Sequence, residues 1–106
     1  MNDIKKLLGR KIKYYRELRE FTQEDLAEKI DINTRSLSFI ECGTNFVTAD
    51  TLDKLCKALN VKPKHLFDFE YSNKKPADVK KEIDKLITSN PEKLNDIYNI
   101  INGFLN

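Results

Sequence analysis

Apolar positions recur at intervals of three and four residues through nearly the whole chain, the spacing that puts one face of an α-helix against a core. Ile4, Leu8, Ile12, Tyr15 and Leu18 share one side of a first helix, which runs from about Asn2 or Asp3, either able to cap it, to Arg19. In "FTQEDLAEKI", Thr22 can cap the amide of Asp25, and Leu26, Ala27 and Ile30 form the inward side of a second helix of about two turns. Asp31, Ile32 and Asn33 make a tight connection to a third helix, Thr34 to about Cys42, with Asn33 as its cap and Gly43 as its stop. Thr48 caps "ADTLDKLCKALN", whose Leu52, Leu55, Cys56 and Leu59 point one way, and Pro63 opens a short fifth helix ending near Phe67.

The pattern then changes. "FDFEYSNKKPA" alternates Phe67, Phe69 and Tyr71 with polar residues, which predicts a brief extended segment before a polar linker. Val79, Ile83, Leu86 and Ile87 mark a further amphipathic helix, "SNPEKL" a turn with Pro91 at a helix start, and Leu94, Ile97, Tyr98, Ile101, Phe104 and Leu105 a last helix. The expected organisation is all-α: a helical domain over 1–70, a linker over 71–77 and a helical hairpin over 78–106. The hairpin's apolar positions make it the expected dimerisation element, the alternative being that they fold back on the first domain.

Composition narrows the function classes. At 40% hydrophobic and 34% charged the 106 residues can fill a core. No apolar run approaches the ~20 residues that cross a bilayer, so a cytoplasmic protein without membrane contact is expected. Cys42 and Cys56 are too far apart for a metal-binding pair, and the single histidine, His65, reads as a surface residue. Neither a nucleophile with its base nor a glycine-rich phosphate loop can be assembled, so no enzyme, metal or cofactor is expected. The net charge of +2 hides an uneven distribution: residues 1–20 carry +4 and residues 21–50 carry −4. The first helix is the basic element, and its outer side presents Lys6, Arg10 and Lys13.

Two short helices joined by about three residues, with apolar Leu26, Ile30, Ile32, Leu37 and Ile40 and small Ala27 at the crossing, fit a helix-turn-helix. The segments "LGRKIKYYRELREFTQEDLAEKIDINTRSLSFIECG" and "TLDKLCKALNVKPKHLF" resemble the phage-repressor (Cro and C1-type) helix-turn-helix family over rather more than half of the chain. The resemblance implies a five-helix, lambda-repressor-like fold that binds double-stranded DNA, commonly as a homodimer. It implies that Gln23, opening the second helix, contacts phosphate and supports the recognition helix, and that Arg16 and Glu41 form a structural ion pair. It also marks departures: Asp31 stands where a turn glycine is usual, Cys42 where an asparagine touching the DNA backbone is frequent, and Thr44 where a lysine or arginine is frequent. Fewer phosphate contacts are expected.

Advancing about 100° per residue puts Leu37 and Ile40 inward and gathers Arg35, Ser38, Phe39 and Cys42 on the far side of the third helix. That side is the candidate reader of the major groove. Arg35 suits a guanine, Ser38 several base edges, Phe39 a thymine methyl, and Thr34 a phosphate or base. Arg10 and Lys13 are candidate phosphate contacts. A dimeric repressor on a palindromic operator is the leading expectation, and a protein-interaction adaptor using Phe39, Phe46 and the tail is the alternative. Some small bacterial repressors use a similar hairpin both to associate and to receive an antagonist protein, a further partner the resemblance implies.

Overall fold

Four side chains cap the helices of the first part of the chain. Asp3 accepts from the Lys6 amide at 3.0 Å, Thr22 from Asp25 at 3.0 Å, Asn33 from Ser36 at 2.7 Å and Thr48 from Thr51 at 3.1 Å. Each satisfies an amide that a helix start leaves without a partner, and so fixes where the helix begins. The elements that follow, in a computed structural model describing residues 3–69 and 75–106, are α1 (Ile4–Leu18), α2 (Gln23–Lys29), α3 (Thr34–Glu41), α4 (Ala49–Leu59) and α5 (Pro63–Leu66). Beyond them lie α6 (Pro76–Ser89), a 3₁₀ turn (Pro91–Lys93) and α7 (Leu94–Leu105). The chain divides into two units, 1–76 and 77–106, and among the described residues there is no strand.

The inward residues of the first five helices meet in one core. Leu8, Ile12, Leu26, Ala27, Ile30, Leu37, Ile40, Leu55, Cys56, Leu59 and Leu66 are buried, and Tyr15, Phe21, Ile32, Val47 and Leu52 pack at its edge. Burying each of the large aliphatic side chains contributes about 1.5–3 kcal/mol, so this cluster, rather than helix propensity, holds the short α2 and α3 in place. Asp31 turns the chain between them with φ at +57°, the left-handed backbone expected of a glycine-like position.

Two close approaches fix α1 against α3. At Gly9, which is buried, a Cβ would meet the carbonyl oxygen of Ile40 and lie 2.5 Å from that of Glu41. At Gly43, with φ at +82°, a Cβ would lie 2.8 Å from the Cα of Lys6. Arg19 ties in α4: its Nε donates to the Leu59 carbonyl at 2.8 Å and its Nη2 to that of Asn60 at 3.3 Å, placing a cation on a helix carboxyl end.

Several local expectations are corrected. Ile4 is exposed, although Leu8 and Ile12 on the same side of α1 are buried. Phe67 does not begin an extended segment; its amide donates to the Pro63 carbonyl and closes α5, and its ring meets Phe69 edge-on at 6.1 Å between centroids. Tyr71, and Asn2 as an alternative cap, lie outside the described residues. His65 has a structural part, its Nδ1 accepting from the Lys62 amide at 3.0 Å at the start of α5. Helix α6 begins at Pro76, two residues before the expected hairpin start, since proline suits a first turn.

In the second unit α6 and α7 follow the expected pattern, and their apolar residues stay largely uncovered. Ile83, Leu86, Leu94, Tyr98, Ile101, Phe104 and Leu105 are exposed, while Val79, Ile87 and Ile97 are half-buried. A groove of about 330 Å³ is lined by Ile87, Leu94, Ile97, Tyr98, Ile101 and Leu105.

Candidate nucleic-acid interface

The outward side of α3 is held by a network beneath its carboxyl end. Arg16 donates from Nε to Glu41 Oε2 at 2.7 Å and from Nη2 to Oε1 at 3.0 Å, a bidentate pair in which both residues are buried. The remaining arm, Nη1, donates to the Phe21 carbonyl at 2.8 Å and so reaches the loop before α2. Gln23 completes the set by donating from Nε2 to Glu41 Oε1 at 3.0 Å. Helices α1, α2 and α3 therefore share one carboxylate. Because both charges are paired and hydrogen-bonded, the cost of burying them is offset, and the pair fixes relative orientation more than it adds stability.

On that support α3 presents Thr34, Arg35 and Phe39 to solvent, with Ser38 half-exposed beside them. The Arg35 guanidinium carbon lies 5.4 Å from the Phe39 ring centroid, within cation–π range. Cys42 is exposed at the carboxyl end; its Sγ lies 3.0 Å from the Thr44 hydroxyl. Hydrogen bonds from that hydroxyl, then from the Thr44 amide, hold the thiol below its ordinary pKa. Cys56, by contrast, is pushed up by burial and behaves as a small core residue.

The flank of α1 supplies the charge. Arg10, Lys13 and Lys6 are exposed, and the close contact at Gly43 puts the backbone of Lys6 against the end of α3. Lys6 thus joins the basic edge, a position that the charge stripe signals and that only the Gly43 contact fixes. Lys11, on the same helix, goes the other way. It is buried with its Nζ 5.2 and 5.1 Å from the Tyr14 and Tyr15 rings, and burial lowers its pKa against the opposing charge of Asp68. Among the described residues no group of side chains could hold a metal ion, and no helix is long and apolar enough to cross a membrane.

A helix-turn-helix family model matches residues 12–66, just over half of the chain, and covers the α2–turn–α3 geometry described above. The chain belongs to the Cro/C1-type helix-turn-helix family of DNA-binding transcriptional regulators. The control protein C.BamHI of Bacillus amyloliquefaciens is 41% identical over 69 residues, 64% of this chain and 85% of that protein. The crystal structure of the restriction-modification controller protein C.AhdI from Aeromonas hydrophila superposes with a TM-score of 0.57 at 26% identity, covering 58% of this chain and 94% of the other. The clp gene regulator ClgR from Corynebacterium glutamicum shares the fold at a TM-score of 0.55 and 21% identity, over 94% of this chain and 92% of the other. With regulators in this family, the adaptor reading gives way to a DNA-binding one. The family match ends at Leu66, so α6 and α7 of this helix-turn-helix protein lie outside it.

Proposed function

We propose that this regulator represses transcription in the cytoplasm by binding a two-fold symmetric operator as a homodimer, with α3 of each copy in the major groove. The observation that carries the reading is the pairing of an exposed, polar-and-aromatic α3 surface with a buried Arg16–Glu41–Gln23 network that holds that helix rigidly. Arg35, Ser38 and Phe39 meet base edges, and Thr34, Gln23, Thr44 and Cys42 meet the sugar–phosphate chain beside them. Arg10, Lys13 and Lys6 add phosphate contacts from α1. Gln23 uses one amide hydrogen on Glu41 and keeps the other for a phosphate oxygen, so the network and the backbone contact are mechanically linked.

The homodimer rests on α6 and α7. Two helices of 14 and 12 residues whose apolar side chains stay uncovered are marginal in water by themselves. A second copy laid on Val79, Ile83, Leu86 and Ile87 of α6 and on Leu94, Ile97, Tyr98, Ile101, Phe104 and Leu105 of α7 covers them and supplies the two-fold axis that a palindromic site requires. Nothing in the two helices calls for an antagonist protein, which would compete for the same apolar face. The likeness to the control protein C.BamHI and the restriction-modification controller protein C.AhdI supports a controlling role.

Selection of bound duplexes from a random pool, followed by binding measurements with Arg35→Ala, tests the reading. An inverted repeat with half-sites ~34 Å apart and a loss of affinity in the variant are expected. Light scattering on a chain lacking 72–106 tests the dimer: a monomer is expected, and an unchanged mass would remove α6 and α7 from the interface.

A further inference from the structure

The proximity of Arg35 to Phe39 bears on which sequence α3 reads. The two side chains stand four residues apart on its outward face, with the guanidinium carbon 5.4 Å from the ring centroid. The backbone beneath the ring is clamped. The Phe39 carbonyl accepts from the amide of Thr44 at 2.9 Å and of Asn45 at 3.2 Å, and the Cys42 thiol donates to it at 3.4 Å. A free arginine samples many rotamers, so resting its guanidinium on the ring removes part of the entropy that a base contact would otherwise cost.

We infer that Arg35 and Phe39 act as one reading unit that recognises a two-base-pair step, a guanine with a thymine on the neighbouring pair. The guanidinium fork matches the O6 and N7 acceptors of guanine, and the ring edge is an apolar partner for the thymine C5-methyl. Distance favours adjacency. The two groups are separated by 5.4 Å in total, so their separation along a DNA axis is no greater. That falls short of the ~6.8 Å that skipping a base pair spans at a rise of ~3.4 Å, which favours neighbouring base pairs for the two contacts. The inference rests on α3 seating in the major groove and adds the coupling of two contacts.

The test compares operator duplexes that differ by one group. Once the half-site is selected, the thymine next to the Arg35-dependent guanine is replaced by deoxyuridine, which removes only the methyl. Wild-type protein should bind the thymine duplex about four-fold more tightly, the value of one buried methyl, and Phe39→Ala should bind both alike. The penalty for changing the guanine to adenine should also shrink in Phe39→Ala and in Phe39→Leu, where the guanidinium loses its ring. Both residues are exposed, so circular dichroism should show these variants folded. Equal wild-type affinity for thymine and deoxyuridine, or an undiminished guanine penalty without the ring, overturns the unit. Should Arg35→Ala bind the operator as tightly as wild type, the seating of α3 itself fails and the inference with it.

Discussion

Arg16 and Glu41, 25 positions apart, face each other in a bidentate pair with Nε 2.7 Å from Oε2, and so lock the middle of α1 to the end of α3. Their side chains retain only 10% and 3% of their exposure. Arg16→Met leaves the Glu41 charge buried, with the Gln23 amide still donating to it. It should destabilise the first unit by about 3–5 kcal/mol, read from the urea midpoint of its helical signal. Adding Glu41→Met should recover most of that loss, since two apolar side chains need no compensation there. A double variant as unstable as the single would mean that the pair contributes through something besides charge balance.

Gly9 gives a sharper test of the α1–α3 approach. Inside a helix, alanine is ordinarily favoured over glycine by about 1 kcal/mol. Here its Cβ would fall against the carbonyls of Ile40 and Glu41, backbone atoms that cannot rotate aside. Gly9→Ala should therefore destabilise by about 1–3 kcal/mol despite its better propensity, and should weaken DNA binding by displacing α3. Thermal unfolding with and without operator separates the two effects.

The capping box at the start of α2 predicts a pH dependence. Asp25 accepts from the Thr22 amide at 2.9 Å, and this bond, followed by the one with the Thr22 hydroxyl, lowers its pKa below the ordinary 3.8. A carboxyl whose folded pKa is depressed adds stability above its unfolded value and loses it as the pH falls through the folded one. Asp25→Ala should thus be less stable than wild type at neutral pH, and the gap should close below pH 3.8. Urea titrations of both proteins across that range measure it.

Phosphate contact from α1 is read in salt. With about four phosphates neutralised per subunit, a dimer should show a log–log slope near −7. Arg10→Gln removes one contact per copy, so the slope should become shallower by about two while the ranking of operator sequences stays the same. A variant that keeps the full slope would place Arg10 away from the duplex.

Much of this could be read along the chain. Asp3, Thr22, Asn33 and Thr48 announce four helix starts because a cap acts on an amide three residues away, within reach of local sequence. The inward Leu26, Leu37, Leu55 and Leu59 follow from periodicity, and the turn at Asp31 from the short connection it must make. The family resemblance supplied the Arg16–Glu41 pair, which spacing alone does not contain.

Tertiary structure decided the contacts between distant elements. Nothing local marks Lys11 for burial against Tyr14 and Tyr15, and His65 read as a surface residue until the Lys62 amide turned to its Nδ1. Gly43 was legible as a helix stop, but the close approaches at Gly9 and Gly43 come from Ile40, Glu41 and Lys6 and were not. Arg19 reaches carbonyls 40 and 41 residues away. Local sequence fixes helix limits and inward faces, since those depend on neighbours within about one turn; which polar side chain meets which partner depends on how the helices cross, and only the packed fold sets that.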